Sequence, residues 1–377
     1  MGLSREEVCK AVAQRLAAAA PTLSQTRALV GLDGFVDEIV AVVDKRYSDV
    51  AYDPVRTIGA LAEKIKNAAG ESSNYEIVTR RRKLGGNGPI MANALASLGL
   101  DVTYVGNLGF PVIDPVFDEL ATRARVVSIA NPGYTHALEF DDGKIMLVKS
   151  TTMQDVSWTN LLARFGSDAL RGSVDSADLI GLVNWTMLPQ MNDIWRRLRD
   201  EVLPAVDARR RMLFIDLADP EKRTPDDIRE AMDLLSRLQQ RIDVILGLNL
   251  KEALEVAHVL AVSAGPDPEA TLEVLAQEIR RSLEIACVVI HPRRGAAAAT
   301  STEHARFAGP FVQQPLISTG AGDHFNAGFC LGRVLGLGLE ESLCVGVATS
   351  GYYVRNGISP SAAALADFVA ELPPPQA

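Results

Sequence analysis

"LISTGAGDHFNAGF" (residues 316–329) sets three glycines around a single aspartate where an extended run gives way to a small-residue helix. Glycine and alanine at 320–322 let the backbone turn tightly and let a ligand approach the peptide nitrogens. The first amides of a helix have no internal partner and carry partial positive charge. Gly320, Ala321 and Gly322 therefore read as a cradle for a phosphoryl group whose charge grows in the transition state. Asp323 falls in the first helical turn beside that cradle. The helix dipole is expected to keep its carboxylate ionised, a weak base at rest. Such a group can still accept the proton of a hydroxyl as its oxygen attacks phosphorus. The same residues also read as a plain turn followed by an acid that complements the dipole.

Away from this stretch, short β-branched runs alternate with helical patterns. "RALVGLD" (27–33) reads as a strand, "PIMANALASLG" (89–99) as a helix and "VTYVGNLG" (102–109) as the next strand. "DLIGLVNW" (178–185) is extended and leads into the helical "NDIWRRLRDEVLPAVDARR". "MLFIDLA" (212–218), an amphipathic helix around 225–240, "DVILGLN" (243–249) and "ACVVIHP" (286–292) repeat the scheme. Residues 323–370 read as helical, broken near "RNGISP". Apolar strands each trailed by a helix predict an α/β fold with a mostly parallel sheet covered on both faces.

Two segments break this rhythm. "FVDEIVAVVDKR" (35–46) and "THALEFDDGKIMLVKS" (135–150) alternate with a period of two, the second around a turn at Asp141-Asp142-Gly143. They predict a small accessory sheet. Residues 47–83, with a helix at about 54–69 and the basic run Arg80-Arg81-Arg82-Lys83, read as an insertion between them. Residues 1–24 read as an N-terminal helical extension without the uninterrupted apolar core of a signal peptide. "LPPPQA" reads as a frayed tail.

The chain of 377 residues is 47% hydrophobic and 23% charged, which are globular values. A net charge of -9 argues against a nucleic-acid surface, since phosphate binding wants a basic face. No window approaches ~20 uncharged apolar residues, so no membrane span is expected and the location is expected to be cytoplasmic. Cys9, Cys287, Cys330 and Cys344 form no C-x-x-C pair and read as free thiols.

Several common catalytic motifs are missing from the sequence. There is no G-x-x-x-x-G-K-[ST] loop, no H-E-x-x-H or paired-cysteine metal site, no G-x-S-x-G elbow, and no G-x-G-x-x-G after the first strand. Three other features remain. Asn249 and Glu252 in "NLKE" follow a strand, where open α/β sheets bind ligands. They read either as a capping box or as a holder for water on a magnesium ion. Gly86 and Asn87 lie in a second glycine-rich turn, and the Asn87 amide can both donate to and accept from a hydroxyl. Asp37, with Asp33 as its rival, follows the first strand and can take two sugar hydroxyls.

"GFVDEI", "LGGNGPIMANALASLG", "NLKE" and "STGAGDHFNAG", in that order, resemble the ribokinase-like carbohydrate kinase family, also called the PfkB family, over about residues 27–365. The resemblance implies one three-layer α/β/α domain spanning 1–377. It implies a small β-sheet lid from about 35–46 and 135–150. It implies transfer of the γ-phosphoryl group of ATP, with Mg2+, to a hydroxyl of a sugar or nucleoside. By position Asp323 matches the family's base, and Gly320, Ala321 and Gly322 its anion hole. Asn249 and Glu252 match its magnesium-and-phosphate motif, and Asp37, Gly86 and Asn87 its sugar-binding positions. Adenine contacts are expected from loops near 291–310 and 345–357. In many members the lids pair into a homodimer.

The chain also departs from the family pattern. Ile317 stands where an aspartate commonly lines a monovalent-cation site, and Ile90 where a sugar-binding asparagine is common. His324 replaces a small residue after the base and reads as a partly exposed helical histidine. The expected function is an ATP-dependent carbohydrate kinase. Two alternatives stay open: a nucleoside kinase on the same fold, with Tyr134 and Phe140 stacking on a base, and a non-catalytic sugar or nucleotide sensor. Arg80 to Lys83 either read an anionic substrate or form a solvated basic run.

Overall fold

A computed structural model describes residues 3–207, 209 and 211–375. Gln376 and Ala377 of the expected tail, and Met1 and Gly2 of the expected extension, lie outside the described residues. The first eight strands are β1 Arg27–Leu32, β2 Phe35–Arg46, β3 Tyr52–Pro54, β4 Ile77–Gly85, β5 Asp101–Gly106, β6 Arg125–Ser128, β7 Gly133–Phe140 and β8 Gly143–Lys149. The remaining strands are β9 Leu179–Leu182, β10 Met212–Asp216, β11 Asp243–Leu248, β12 Cys287–Ile290, β13 Gly295–Ala299 and β14 His304–Ala308.

Nine of these strands form one sheet in the order β14-β13-β12-β11-β10-β9-β1-β5-β6. All its pairings from β12 to β6 are parallel, while β13 and β14 add an antiparallel edge. The central strands are apolar on both faces, and alternate side chains enter opposite layers. Leu29, Leu213, Ile215, Leu246 and Val288 pack into one layer, under helices that include Met191–Arg197, Pro225–Leu238 and Leu250–Val259. Val30, Phe214, Ile245 and Val289 pack into the other, under Asn87–Leu98, Ala321–Val334 and Leu339–Asn356. The molecule is thus a three-layer α/β fold. The N-terminal helix Arg5–Ala19 begins in a capping box at Ser4 and packs against the C-terminal helix Ala362–Ala370.

A second, five-stranded sheet runs β3-β2-β7-β8, with β4 also paired to β2. The stretch 47–83, read as an insertion, differs from that reading at its end. Its helix is Ile58–Asn67, capped by Thr57, and the basic run lies in β4, antiparallel to β2. The Ile58–Asn67 helix covers one face of this sheet. There Leu61 and Val55 join Val40, Val42, Leu138 and Phe140 in a separate apolar cluster. The opposite face carries Asp37, flanked in register by Lys83 of β4 and Thr135 of β7.

Candidate active site

Five adjacent parallel strands end in polar residues. Asp33 follows β1, Asn184 stands two residues past β9, Asp216 closes β10, and Asn249 and His291 follow β11 and β12. These are the carboxyl ends of parallel strands, where open α/β sheets place their ligand crevice.

The turn into the Ala321–Val334 helix closes over this crevice. Gly320 is its N-cap at φ 92°, a left-handed conformation suited to glycine. A Cβ there would also come within 3.2 Å of the Ile90 Cγ2 atom, so Ile90 packs under the turn. The Ala321 amide donates to the Ser318 carbonyl at 3.2 Å. Ala321 is therefore not the outward-facing donor that was expected. Among the described residues, no such bond ties the Gly322 or Asp323 amide to the turn. Ala321 and Gly322 border a cavity of about 690 Å³, shared with Asn249, His291, Phe311 and Gly351. Its walls draw on residues 291–295, 309–315 and 347–354.

Asp323 is buried, and its Oδ1 accepts from the Asn87 Nδ2 at 2.9 Å. That bond joins the two glycine-rich turns. Burial pushes the Asp323 carboxyl well above its usual value, with Asp216 and Asp33 adding repulsion. Desolvation and two neighbouring carboxylates thus oppose the helix terminus, which favours the ionised form. His324, expected to be partly exposed, is only 2% exposed and sealed behind the turn.

Asp33 and Asp37 occupy different settings. Asp33 is wholly buried and accepts from the amides of Asn87 at 3.0 Å and Gly88 at 2.8 Å, and from the Asn184 Nδ2 at 2.7 Å. It shapes the turn at Gly86, the N-cap of the Asn87–Leu98 helix. Burial raises its pKa to about 6. Asp37 lies beside Gly85, where a Cβ would sit 2.5 Å from the Asp37 carboxylate, so only glycine admits it. Thr135 is the register partner of Asp37 on β7, and the Lys83 Nζ is 4.0 Å from the Asp37 Oδ2. Burial still raises the Asp37 pKa.

Asn249 and Glu252 do form a capping box. The Asn249 side chain accepts from the Glu252 amide at 3.0 Å, and the Glu252 Oε2 accepts from the Asn249 amide at 2.8 Å. The other Glu252 oxygen accepts from the Asp219 amide at 2.9 Å. Burial, then repulsion from Asp216, raises the Glu252 pKa to about 8. Asp216, which sequence reasoning missed, accepts from the Asn326 Nδ2 at 2.8 Å and has its pKa raised by burial to about 6. It closes an apolar strand just as Asn249 follows one, and the same strand-end rule would have found it. Among the described residues no three acidic, histidine or cysteine groups form a metal cage. Two mutually repelling buried carboxylates suit a cation held largely through its own water.

The profile of the prokaryotic ketohexokinase family matches residues 5–372. The chain belongs to that family. As a member it is a ribokinase-like carbohydrate kinase, a phosphotransferase that uses ATP and acts on a sugar alcohol group. A ketohexokinase of Haloferax volcanii is 32% identical over 340 residues, covering 89% of this chain and 88% of the relative. Among solved structures, a carbohydrate kinase from Agrobacterium tumefaciens matches with TM-score 0.62 and 18% identity, over 92% of this chain and 98% of that one. Arabidopsis thaliana ribokinase, complexed with ribose and ATP, matches with TM-score 0.61 and 18% identity, over 91% and 98%.

The kinase's small sheet also bears on the nucleoside reading. Phe140 belongs to the apolar cluster under the Ile58–Asn67 helix. Tyr134 is register partner of Val36 and shares that parity of β7. Both alternate away from Thr135 and Asp37, so neither is placed to stack on a base above the site. No described helix is long and apolar enough to cross a membrane.

Proposed function

We propose that this sugar kinase phosphorylates a ketohexose, with Asp323 as the base and Mg2+ accompanying ATP. The observation that carries this reading is the 2.9 Å bond from Asn87 to Asp323. It brings the sugar-side turn and the phosphate-side turn to one point, beside a cavity of about 690 Å³ large enough for a nucleotide. Asp37, Lys83 and Thr135 line the approach from the small sheet. Asp37 accepts sugar hydroxyls, and Lys83 and Thr135 fix its orientation.

ATP with Mg2+ supplies the electrophilic γ-phosphoryl group. Asn249, Glu252 and Asp216 are the residues that would hold the ion through its water. Asp323 takes the proton of the attacking hydroxyl, and the Gly322 and Asp323 amides meet the charge that develops. The small sheet acts as a lid that excludes water as a competing acceptor. Its edge strand β8 exposes Met146, Leu147 and Val148, which supports a homodimer through this sheet.

The test is Asp323→Asn. This variant is expected to bind nucleotide like the parent while ketohexose turnover falls by about three orders of magnitude. Turnover within about tenfold of the parent, a change of only ~1.4 kcal/mol, would show that Asp323 is not the base. Preference for ribose or adenosine over a ketohexose would remove the substrate assignment.

A further inference from the structure

We propose that His324 is a positioning residue for the phosphate-side turn. With Tyr353 it holds the Thr319 and Gly320 carbonyls so that the Gly322 and Asp323 amides start from a fixed origin. The proposal rests on the anion-hole reading above.

The His324 ring folds back from the first helical turn. Its Nδ1 lies 2.7 Å from the Gly320 carbonyl oxygen. A carbonyl can only accept, so Nδ1 carries the proton and donates. The Nε2 then accepts from the Ser359 hydroxyl at 2.8 Å. The ring lies flat on Tyr353, with centroids 3.6 Å apart and planes inclined by 12°. The Tyr353 hydroxyl donates to the Thr319 carbonyl at 3.0 Å. Two successive carbonyls are thus gripped by two stacked rings, and the Ala321 amide is spent on Ser318.

Because each peptide unit is planar and trans, fixing the Thr319 and Gly320 carbonyls fixes the Gly320 and Ala321 amides, the units from which the chain runs on to Gly322 and Asp323. The Gly320 carbonyl also accepts the first intrahelical bond, from the His324 amide at 3.1 Å, so the ring adds a second hold on a residue with no side chain to limit its own backbone. The clamp is also tied to the C-terminal end of the neighbouring helix. The Ser359 carbonyl accepts from the Ser97 hydroxyl at 3.2 Å, and Ser97 belongs to the Asn87–Leu98 helix. Burial holds the His324 pKa down to about 4, so the ring is neutral near pH 7 and fits a mechanical role rather than proton transfer.

The experiment compares His324→Ala, His324→Asn and Tyr353→Phe in the full chain. Asparagine places an amide nitrogen where Nδ1 stood. Turnover is expressed per nucleotide-binding site, and binding of ADP is compared with binding of ADP, aluminium fluoride, Mg2+ and ketohexose together. His324→Ala is expected to lower kcat at least tenfold, with both KM values within threefold of the parent. Binding of the aluminium fluoride complex should weaken by the same factor while ADP binding holds. His324→Asn should recover to within threefold of the parent, and Tyr353→Phe should lose threefold or more in kcat alone. The proposal is overturned if His324→Ala keeps kcat per site within threefold and loses only melting temperature. It is equally overturned if asparagine rescues no better than alanine, or if Tyr353→Phe is unchanged. A dead Asp323→Asn beside a fully active His324→Ala would reject this inference alone, whereas an active Asp323→Asn would reject the reading beneath it.

Discussion

Asp33 and Asp37 are close in sequence and chemically identical, yet their partners differ. Asp33 already accepts from three protein donors and sits at the end of β1, with the Tyr104 hydroxyl bonded to its carbonyl. Those bonds leave it only one of about four lone-pair sites for a ligand hydroxyl. Asp37 has a threonine neighbour in register and a loose ion pair, and it retains free lone pairs. Asp37→Asn is therefore expected to raise the ketohexose KM about tenfold or more, a loss of ~1.4 kcal/mol, with the ATP KM unchanged. Asp33→Asn turns an amide nitrogen toward backbone donors and is expected to cost about 1–3 kcal/mol of stability, seen as a lower urea midpoint. If steady-state kinetics showed Asp33→Asn raising only the sugar KM at full stability, the two roles would be exchanged.

The same division runs along strand β4, which carries charge on both faces. Arg82 reaches Glu38 at 3.3 Å and Asp114 at 3.1 Å, whereas Lys83 stands beside Asp37. Arg82→Ala should leave the sugar KM within twofold, as suits a half-exposed ion pair worth ~1 kcal/mol or less. Lys83→Met should raise the sugar KM about tenfold through a misoriented Asp37. Equal effects of the two substitutions on KM would show that the strand does not separate structure from recognition. This strand also shows why part of the fold escaped the sequence. β2 and β7 announce themselves because apolar and polar residues alternate along them. In "IVTRRRKLG" both faces are polar, so no period of two is visible, and the pairing to β2 is a long-range fact. The parallel core, the two glycine-rich turns and the capping box were legible because each is local chemistry. Asp216 and the His324 clamp were not, because their meaning comes from Asn326, Ser359 and Tyr353, which the chain supplies from elsewhere.

At the scale of the whole molecule, the fold gathers Asp33, Asp216, Glu252 and Asp323 from distant positions into one buried crevice. Burial raises all four pKa values, with Asp33 and Asp216 reaching about 6 and Glu252 about 8. In an unfolded chain these groups release their protons near pH 4. Between that value and the folded values, the folded protein binds more protons than the unfolded one. Stability then falls as pH rises, because its slope follows the protons bound by the unfolded state minus those bound by the native state. Their contribution is fully present below about pH 4 and is lost as pH rises through about 6 to 8. The ligand-free protein is expected to melt at a lower temperature at pH 8.5 than at pH 5.5. The net charge of -9 could produce a similar trend through general repulsion, so a matched control is needed. Asp216→Asn should flatten the decline, while Asp226→Asn, at a side chain 93% exposed, removes the same formal charge and should leave the slope unchanged. ATP with Mg2+ should raise the melting temperature more at pH 8.5 than at pH 5.5, since a cation offsets carboxylate repulsion that is present only once the cluster ionises. A flat or rising melting curve over this window, or equal slopes in the two variants, would mean that the crevice does not hold these protons and that its acids are already ionised without the ligand.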